Sequence, residues 1–351
     1  MAIDTQLDNI KYLRNHTLTT EQIRVYDAFS NAIARRASRP GYYSNEGISN
    51  DSMNQIIQAV TLDNPQYIEI NFFRRRRDSN LVDPNDLNFF KVDPISREDT
   101  KRIENIVKKL QTETKNMNDL DKAMHIFKYL AKLVTYDDKA AKAAIEGKSF
   151  NQYLSSFSMV GALINKKAVC QGISLAYEYL LTKCGIKTNY IQPCYLNDVG
   201  HCFNVIIYND KQGEHFINVD LTLSMRRDRY SSYVEGGKVH FAQNMWGFGV
   251  STDILESLGY RMMYSYNRAD DQFSYLRRNN LVFDDFPSLR LYIKRQANKH
   301  DPLTFSYHGS YGAEEMRRML YNLAELQGFK NGTRLFCSGP FYCFCGGDYY
   351  D

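Results

Sequence analysis

Long apolar runs and a strong excess of charge are both missing from this chain. No stretch among its 351 residues approaches about eighteen consecutive apolar side chains, which excludes a membrane-spanning helix. The net charge is only +4, so we expect neither a nucleic-acid partner nor a membrane partner. The one dense basic run, Arg74–Arg77, is interpreted as a solvated loop, with a patch for phosphate or an acidic partner as the alternative.

Cysteines are few, odd in number and not spaced as in common metal sites. Seven cysteines in a long chain are typical of reduced thiols. The first residues also lack the pattern of a secretory signal, so we expect a cytoplasmic location. Cys337, Cys343 and Cys345 form a cluster without C-x-x-C pairs, and we interpret them as ordinary thiols, with a metal site or a redox pair as alternatives. No metal and no cofactor are expected.

Tryptophan is nearly absent, whereas the chain has 26 Tyr and 20 Phe. These aromatic side chains must supply much of the core, and the single Trp246 is expected there too. A chain of 351 residues is longer than one core usually accommodates. We therefore expect a mainly helical N-terminal region at 1–115, a catalytic core at 116–225 and a C-terminal extension at 226–351 that is a candidate for substrate or partner binding.

Capping residues and apolar periodicity predict helices and strands along most of the chain. Predicted helices cover 20–39, 52–61, 96–111, 118–134, 170–184, 252–258, 288–296 and 313–327. Predicted strands cover 67–72, 89–92, 188–192, 202–208 and 214–219. The segments 149–165 and 336–351 are expected to be irregular.

The clearest chemical signal is Cys170, which lies where a helix-patterned segment begins. A helix N-terminus offers partial positive charge and free N–H groups, and both favour a thiolate. The glycine at position 172 is expected to let a substrate approach the thiol closely. Its neighbour Gln171 is a possible donor to an oxyanion, although the backbone N–H of Cys170 is the better candidate.

A histidine and an aspartate follow Cys170 on two predicted strands. A hairpin that turns near Asp210–Lys211 would bring His201 opposite Asp220. His201 and Cys202 are adjacent in a strand and point to opposite faces, so we do not expect Cys202 to share the site with His201. The imidazole could take the thiol proton and return it to a leaving amine, while the carboxylate fixes the imidazole tautomer.

These motifs resemble the core of the transglutaminase-like superfamily of papain-type cysteine enzymes. The resemblance rests on Val169-Cys170-Gln171-Gly172, His201-x-Phe203-Asn204 and Asp220-x-Thr222, and it extends over residues 120–224 with the helix at 118–134 and the Val134–Asp137 segment that follows it. It implies Cys170 as nucleophile, His201 as general base and acid, and Asp220 as orienting carboxylate. It also implies an α+β fold in which a nucleophile helix packs on an antiparallel sheet.

Two positions depart from the family pattern. The family often has tryptophan where this chain has Phe203 and Leu223. Tryptophan near the site guides acyl acceptors in transglutaminases, so the resemblance favours hydrolysis of a peptide or protein amide, by a peptidase or deamidase, over transfer to an amine. The alternatives are a transamidase that crosslinks or modifies proteins, and a non-enzymatic interaction module on the same scaffold.

Overall fold

The structure is a computed structural model and describes most of the chain. The described residues are 12–35, 48–65, 67–74, 81–82, 87–147, 151–225, 232–235, 238–241, 245–264, 267–296, 303–326 and 334–345. They form a mixture of helices and mainly antiparallel sheet, in agreement with the predicted α+β class.

The chain forms two compact units. The first comprises Met1–Pro193, His201–Ile206 and Met263–Ser265, and the second comprises Cys194–Gly200, Ile207–Met262 and Tyr266–Asp351. Both units combine separate stretches of the chain, whereas the predicted regions 1–115, 116–225 and 226–351 are consecutive. The predicted regions stay a prediction.

The first unit is built mainly from helices. They are α1 (Tyr12–Thr17), α2 (Thr20–Ala34), α3 (Asn50–Leu62), α4 (Arg97–Thr114), α5 (Asp119–Leu133), α6 (Asp138–Ile145) and α7 (Cys170–Lys183). Short strands accompany them: β1 (Ile48–Ser49), β2 (Tyr67–Arg74), β3 (Leu81–Val82), β4 (Leu87–Pro94), β5 (Thr135–Tyr136) and β6 (Lys167–Ala168). β1 pairs with β3 and β2 with β4, both antiparallel, whereas β5 and β6 are parallel.

Two longer strands, β7 (Asn189–Leu196) and β8 (Val199–Asp210), follow α7 and contribute residues to both units. The remaining strands are β9 (Gly213–Val219), β10 (Ser232–Glu235), β11 (Lys238–Phe241), β12 (Phe248–Val250), β13 (Tyr260–Met262), β14 (Val282–Phe283), β15 (Leu303–Tyr307), β16 (Arg334–Ser338) and β17 (Phe341–Cys345). The helices among them are α8 (Thr252–Ser257), α9 (Tyr275–Arg278), α10 (Phe286–Gln296) and α11 (Ala313–Leu326). One sheet has the order β12-β9-β8-β7-β13 and another the order β14-β15-β17-β16.

Helix starts follow the capping signals in the sequence. The Thr19 hydroxyl and the Gln22 side chain form a reciprocal capping box at α2, as their spacing predicted. The Ser96 hydroxyl accepts from the Asp99 N–H at 3.0 Å, and the Asn118 side chain accepts from the Asp121 N–H at 2.9 Å. Each cap satisfies a backbone donor that the helix itself leaves open and so fixes where the helix begins.

Two segments that were predicted to be irregular are in fact ordered. Residues Asn151–Phe157 form a 3-10 helix and Gly161–Asn165 a π-helical turn, with contacts such as Ser158 N to Ser155 O at 3.1 Å. Such tight turns lack the 3.6-residue periodicity by which helices are recognised in a sequence. Near the end of the chain, β16 and β17 form an antiparallel hairpin, so the prediction was wrong for residues 336–345, and 346–351 lie outside the described residues.

The turn between β8 and β9 lies one position later than predicted. β8 ends at Asp210 and β9 begins at Gly213, so the turn residues are Lys211 and Gln212. The Asp210 carboxylate accepts from the Gln212 N–H at 2.7 Å, a local bond that favours a turn at this point. Gly213 then takes a φ of +129°, which glycine adopts without strain.

α7 is the central helix of the first unit. Its residues are buried without interruption from Gly172 to Thr182, so it is covered on all sides. Against α5, the rings of Phe127 and Tyr177 make an edge-to-face contact with centroids 6.4 Å apart. The Tyr177 hydroxyl donates to the Ala123 carbonyl at 3.0 Å. Burying one such aromatic ring contributes about 1.5–3 kcal/mol, so these contacts anchor the helix firmly.

The buried part of α7 contains one carboxyl group, Glu178. Glu178 is 5% exposed, and its Oε2 atom has no hydrogen-bond partner among the described residues. Burial, with a smaller contribution from the negative charge of Asp63, holds the pKa of this carboxyl well above its ordinary value. Glu178 is therefore a neutral acid in the folded protein over a pH range in which an exposed glutamate is ionised.

This burial makes stability depend on pH. The pKa of Glu178 is raised on folding, so its stabilising contribution is complete below the unfolded pKa of about 4.3 and is lost as the pH rises towards the folded pKa. Replacement by glutamine removes that loss. We expect the free energy of unfolding of Glu178→Gln, measured by urea denaturation, to gain on the wild type by up to about 1.4 kcal/mol per pH unit over that interval.

Glu104→Gln is the matched control, because Glu104 is exposed on α4. This variant should follow the wild-type pH dependence. The comparison is between the unfolding free energies of Glu178→Gln and of the wild type from pH 4 to pH 8. A difference that stays constant over this range would show that Glu178 ionises normally in the folded protein.

Candidate active site

The strand that leads into Cys170 is held by the segment that follows α5. Thr135 and Tyr136 in β5 lie alongside Lys167 and Ala168 in β6, in parallel register. The Asp137 N–H continues the pairing by donating to the Ala168 carbonyl at 3.0 Å. The Val134–Asp137 segment, distant in sequence, thereby fixes the direction in which the chain enters α7.

A buried carboxylate reinforces this arrangement. Asp137 is 3% exposed and accepts from the Ser156 hydroxyl at 2.8 Å and from the Lys167 ammonium at 3.1 Å. Burial alone raises the pKa of Asp137, but the hydrogen bonds from Ser156 and Lys167 outweigh it and hold the pKa below its ordinary value. The Ser156 carbonyl accepts in turn from the Val169 N–H at 2.9 Å. Asp137 therefore ties residues 156 and 167 together at the start of α7.

Gly172 has a structural reason to be glycine that differs from the predicted one. A Cβ atom at this position would lie 2.5 Å from the Ser156 carbonyl oxygen and 2.7 Å from that of Ser158. Both distances are shorter than a Cβ atom tolerates. The expectation that Gly172 gives room to a substrate was therefore wrong, because the space beside it is filled by the backbone of residues 156–158.

Cys170 is the first residue of α7 and is half-buried. The N-cap residue Val169 has no side chain that can bond the first turn. Within the described ranges, the N–H groups of Cys170 and Gln171 donate to no backbone carbonyl. The end of the helix that carries the thiol thus keeps the open donors and partial positive charge that favour an anion. The Gln171 side chain donates to the Phe157 carbonyl at 3.1 Å, which is a bond to the protein itself.

Two residues of β8 contact the Cys170 sulfur. The strongest contribution to lowering the pKa of Cys170 is a hydrogen bond from the Cys202 side chain. The backbone N–H of Cys202 donates a second hydrogen bond to the same sulfur. His201 contributes through its charge and a side-chain hydrogen bond. Burial opposes these effects, but together they hold the pKa of the Cys170 thiol well below its ordinary value. The structure therefore places His201 beside the Cys170 thiol.

The position of Cys202 differs from the prediction. Its carbonyl accepts from the Ser174 hydroxyl at 3.5 Å, and two residues further along β8 the Asn204 side chain donates to the Ser174 carbonyl at 3.0 Å. Cys202 and Asn204 are two positions apart and therefore share one face of β8, the face that packs on α7. Alternation along a strand separates the side chains of residues 201 and 202, but both residues interact with the Cys170 sulfur, Cys202 through its backbone as well as its side chain, so the expectation that Cys202 lies apart from His201 was wrong.

Asp220 lies directly after β9, in the second unit, and is 1% exposed. Its Oδ1 atom accepts from the Thr222 N–H at 2.8 Å and from the Thr222 hydroxyl at 2.6 Å. Its Oδ2 atom accepts from the Tyr260 hydroxyl at 2.6 Å. These donors hold the carboxylate in one orientation. The Asp-x-Thr spacing signals the first contact, whereas Tyr260 is distant in sequence and has no signal there.

The other candidates from the sequence are placed as follows. Trp246 is 2% exposed and stacks on Phe341 with ring centroids 5.6 Å apart, which confirms its core position. Arg74 ends β2, and 75–77 lie outside the described residues. The side chains of Cys337, Cys343 and Cys345 also lie outside them, although their backbones belong to β16 and β17.

The described residues contain neither a cluster suited to a metal ion nor a helix suited to a membrane. No set of three histidine, cysteine or acidic side chains there is arranged to hold a metal ion. None of the helices in the described part of the chain combines the length and the apolar character needed to cross a membrane.

Comparisons with known proteins give little further guidance. No protein-family model matches the chain, and no curated protein matches it. Among solved structures, one described as "Crystal structure of a TGase" is similar, with a TM-score of 0.30 and 16% sequence identity. That match covers 53% of this chain and 50% of the other, so this chain spans about half the length of the protein it matches. A likeness of this degree assigns no family.

The lowered pKa of the Cys170 thiol can be tested by alkylation. Thiolate and not thiol reacts with iodoacetamide, so a lowered pKa keeps Cys170 reactive below the pH at which an ordinary thiol, with a pKa of about 8.5, loses reactivity. In His201→Ala the pKa should rise, and labelling at neutral pH should slow by about tenfold for each pKa unit regained. Mass spectrometry of the Cys170 peptide against time and pH measures this.

His125→Ala is the matched control, since this histidine lies on α5 and pairs with Glu113. It should label as fast as the wild type. If Cys170 reacts no faster than the buried Cys184 at neutral pH, the thiol is not activated.

The packing at Gly172 predicts a stability change. Gly172→Ala forces the carbonyls of Ser156 and Ser158 to move, which should cost about 1–3 kcal/mol as overpacking does elsewhere. Gly200→Ala is the control, because a Cβ there meets no atom within 4 Å, and it should stay within about 0.5 kcal/mol of the wild type. Equal unfolding free energies for both variants would contradict the close approach at Gly172.

Proposed function

We propose that this protein is a thiol-dependent acyl-transfer enzyme that acts on an amide bond of a peptide or protein. Cys170 is the nucleophile, His201 the general base and acid, and Asp220 the carboxylate that orients the imidazole. Hydrolysis, as in a cysteine peptidase or deamidase, is the favoured outcome. These roles are the ones that the resemblance of the motifs to the transglutaminase-like superfamily implies.

One observation carries the proposal, namely the set of groups around the Cys170 sulfur. A half-buried thiol at the start of a buried helix receives hydrogen bonds from the strand beside it and lies next to an imidazole. A structural cysteine needs none of these groups, and burial in apolar surroundings would raise its pKa. An activated nucleophile needs all of them. The pKa shift of Cys170 is downward, which supports the nucleophile.

The chemistry follows from these groups. The thiolate attacks the carbonyl carbon of the amide, and the oxygen that becomes negative can accept from open N–H groups in the first turn of α7. The tetrahedral adduct collapses when protonated His201 gives its proton to the leaving amine. A thioester remains on Cys170. His201 then takes a proton from water, which attacks the thioester and releases a carboxylic acid and the thiolate.

Asp220 has support of a different kind. Thr222 and Tyr260 hold the carboxylate by three hydrogen bonds, which suits a group that must orient another one. Donors at both oxygens also keep a buried negative charge from being left unpaired.

Burial at two positions supports water over an amine as the acyl acceptor. Phe203 is completely buried and Leu223 is 8% exposed. Neither residue presents an aromatic surface to a solvent-facing cleft, which a site that guides an amine acceptor would use. Transfer to an amine remains an outcome that the experiment can detect.

The test is to trap the acyl-enzyme. The protein is mixed with glutamine-containing and other peptide amides, with and without a primary amine, quenched in acid and digested for mass spectrometry. We expect an acyl adduct on Cys170 and release of the acid product. Asp220→Asn should lower kcat/KM by about 10²- to 10⁴-fold, as loss of an orienting carboxylate does in related triads.

Cys184→Ser is the matched control, because it removes a buried thiol just beyond the far end of α7 and should leave the adduct and the rate unchanged. Incorporation of the amine in place of acid release would establish a transamidase. If no peptide acylates Cys170 while iodoacetamide still labels it, the amide substrate class is wrong. If neither reagent reacts faster there than at Cys184, the protein is not an enzyme of this kind.

A further inference from the structure

Two free thiols meet at the N-terminus of α7. The Cys202 thiol hydrogen-bonds to the Cys170 sulfur, and the backbone N–H of Cys202 bonds to the same atom. Both cysteines are free thiols in the structure. The acyl-transfer chemistry uses Cys170 and does not require a thiol at position 202, where any residue except proline would keep the hydrogen bond from the backbone N–H.

The two thiols differ in access. Cys170 is half-buried, whereas Cys202 is 6% exposed. Cys170 is therefore the more exposed of the two residues. The lowered pKa of Cys170 adds to this difference, because thiolates react with peroxides and thiols do so poorly.

The strand and helix that carry the two residues are held together close by. One turn of α7 beyond Cys170, the Ser174 hydroxyl donates to the Cys202 carbonyl at 3.5 Å. The Ser174 carbonyl accepts from the Asn204 side chain at 3.0 Å. These bonds hold this part of β8 against α7, one turn beyond Cys170.

We propose that Cys170 and Cys202 are a reversible redox pair, with Cys202 as the resolving cysteine that protects the nucleophile from irreversible oxidation by hydroperoxides. The Cys170 thiolate attacks hydrogen peroxide, and the O–O bond breaks to give a sulfenic acid on Cys170 and hydroxide. The Cys202 thiol then displaces the sulfenic oxygen, which leaves as water, and an S–S bond forms. Overall, two thiols lose two electrons and two protons, and peroxide is reduced to two water molecules.

Another thiol on α7 is badly placed for this role. Cys184 follows the last residue of α7, fourteen positions after Cys170, which is about 21 Å along the helix axis. The Cα atoms of a disulfide lie about 4.4–6.8 Å apart, so Cys184 cannot bridge to Cys170 while the helix is intact. Cys184 therefore serves as the internal control for the pairing.

The experiment follows the thiols and not the activity, so it stands or falls independently of the proposed reaction. The wild type, Cys202→Ser and Cys184→Ser are treated with hydrogen peroxide, alkylated and digested for mass spectrometry. In the wild type and in Cys184→Ser we expect a linked peptide pair that contains Cys170 and Cys202, with the loss of two hydrogens, and reversal by dithiothreitol. In Cys202→Ser we expect at least about tenfold more sulfinic acid at Cys170, which dithiothreitol does not reverse.

The wild-type result alone can overturn the proposal, whether or not Cys202→Ser folds well. A sulfinic acid that forms at Cys170 without a linked peptide would show that Cys202 does not resolve the oxidised thiol. A bridge from Cys170 to any other cysteine would also contradict the assignment. Circular dichroism of each variant before treatment establishes that the comparison concerns folded protein.

Discussion

The contact between the Cys170 sulfur and β8 is the interaction on which the account of this protein depends. The sulfur lies at the open end of a buried helix and receives hydrogen bonds from His201 and Cys202. Much of the first unit serves to keep that contact in place. The β5–β6 pairing and the Asp137 cluster fix the start of α7, and Ser174 is bonded to β8. The helix has packing on every side and little room to shift.

One face of α7 shows how neighbouring groups decide the charge of a buried residue. Cys170, Ser174 and Glu178 are spaced by four positions and lie on the same side of the helix. Cys170 has donors and an imidazole beside it, and its pKa falls despite burial. Glu178 has the charge of Asp63 nearby, and its pKa rises. Both groups are affected by burial, so the neighbouring groups, and not burial itself, determine whether the pKa falls or rises.

The sequence predicted those parts of the fold and the site that depend on local patterns. Capping residues placed the starts of α2, α4 and α5, and apolar alternation placed β2, β8 and β9. Cys170 at a helix start was predicted from neighbouring residues as well. The features that escaped prediction depend on contacts between distant segments. Tertiary packing sets three of these features. They are the contact of Cys202 with α7, the need for glycine at position 172 and the hydrogen bond from Tyr260 to Asp220.

The central claim is that contacts with β8 hold the pKa of the Cys170 thiol well below its ordinary value. The most direct measurement is a pH titration of thiolate absorbance in the ultraviolet, taken as the difference between the wild type and Cys170→Ser. The account predicts that the thiolate absorbance of Cys170 develops through a midpoint well below that of an ordinary cysteine. A difference spectrum that develops only above about pH 8.5, as in an unperturbed thiol, would contradict it.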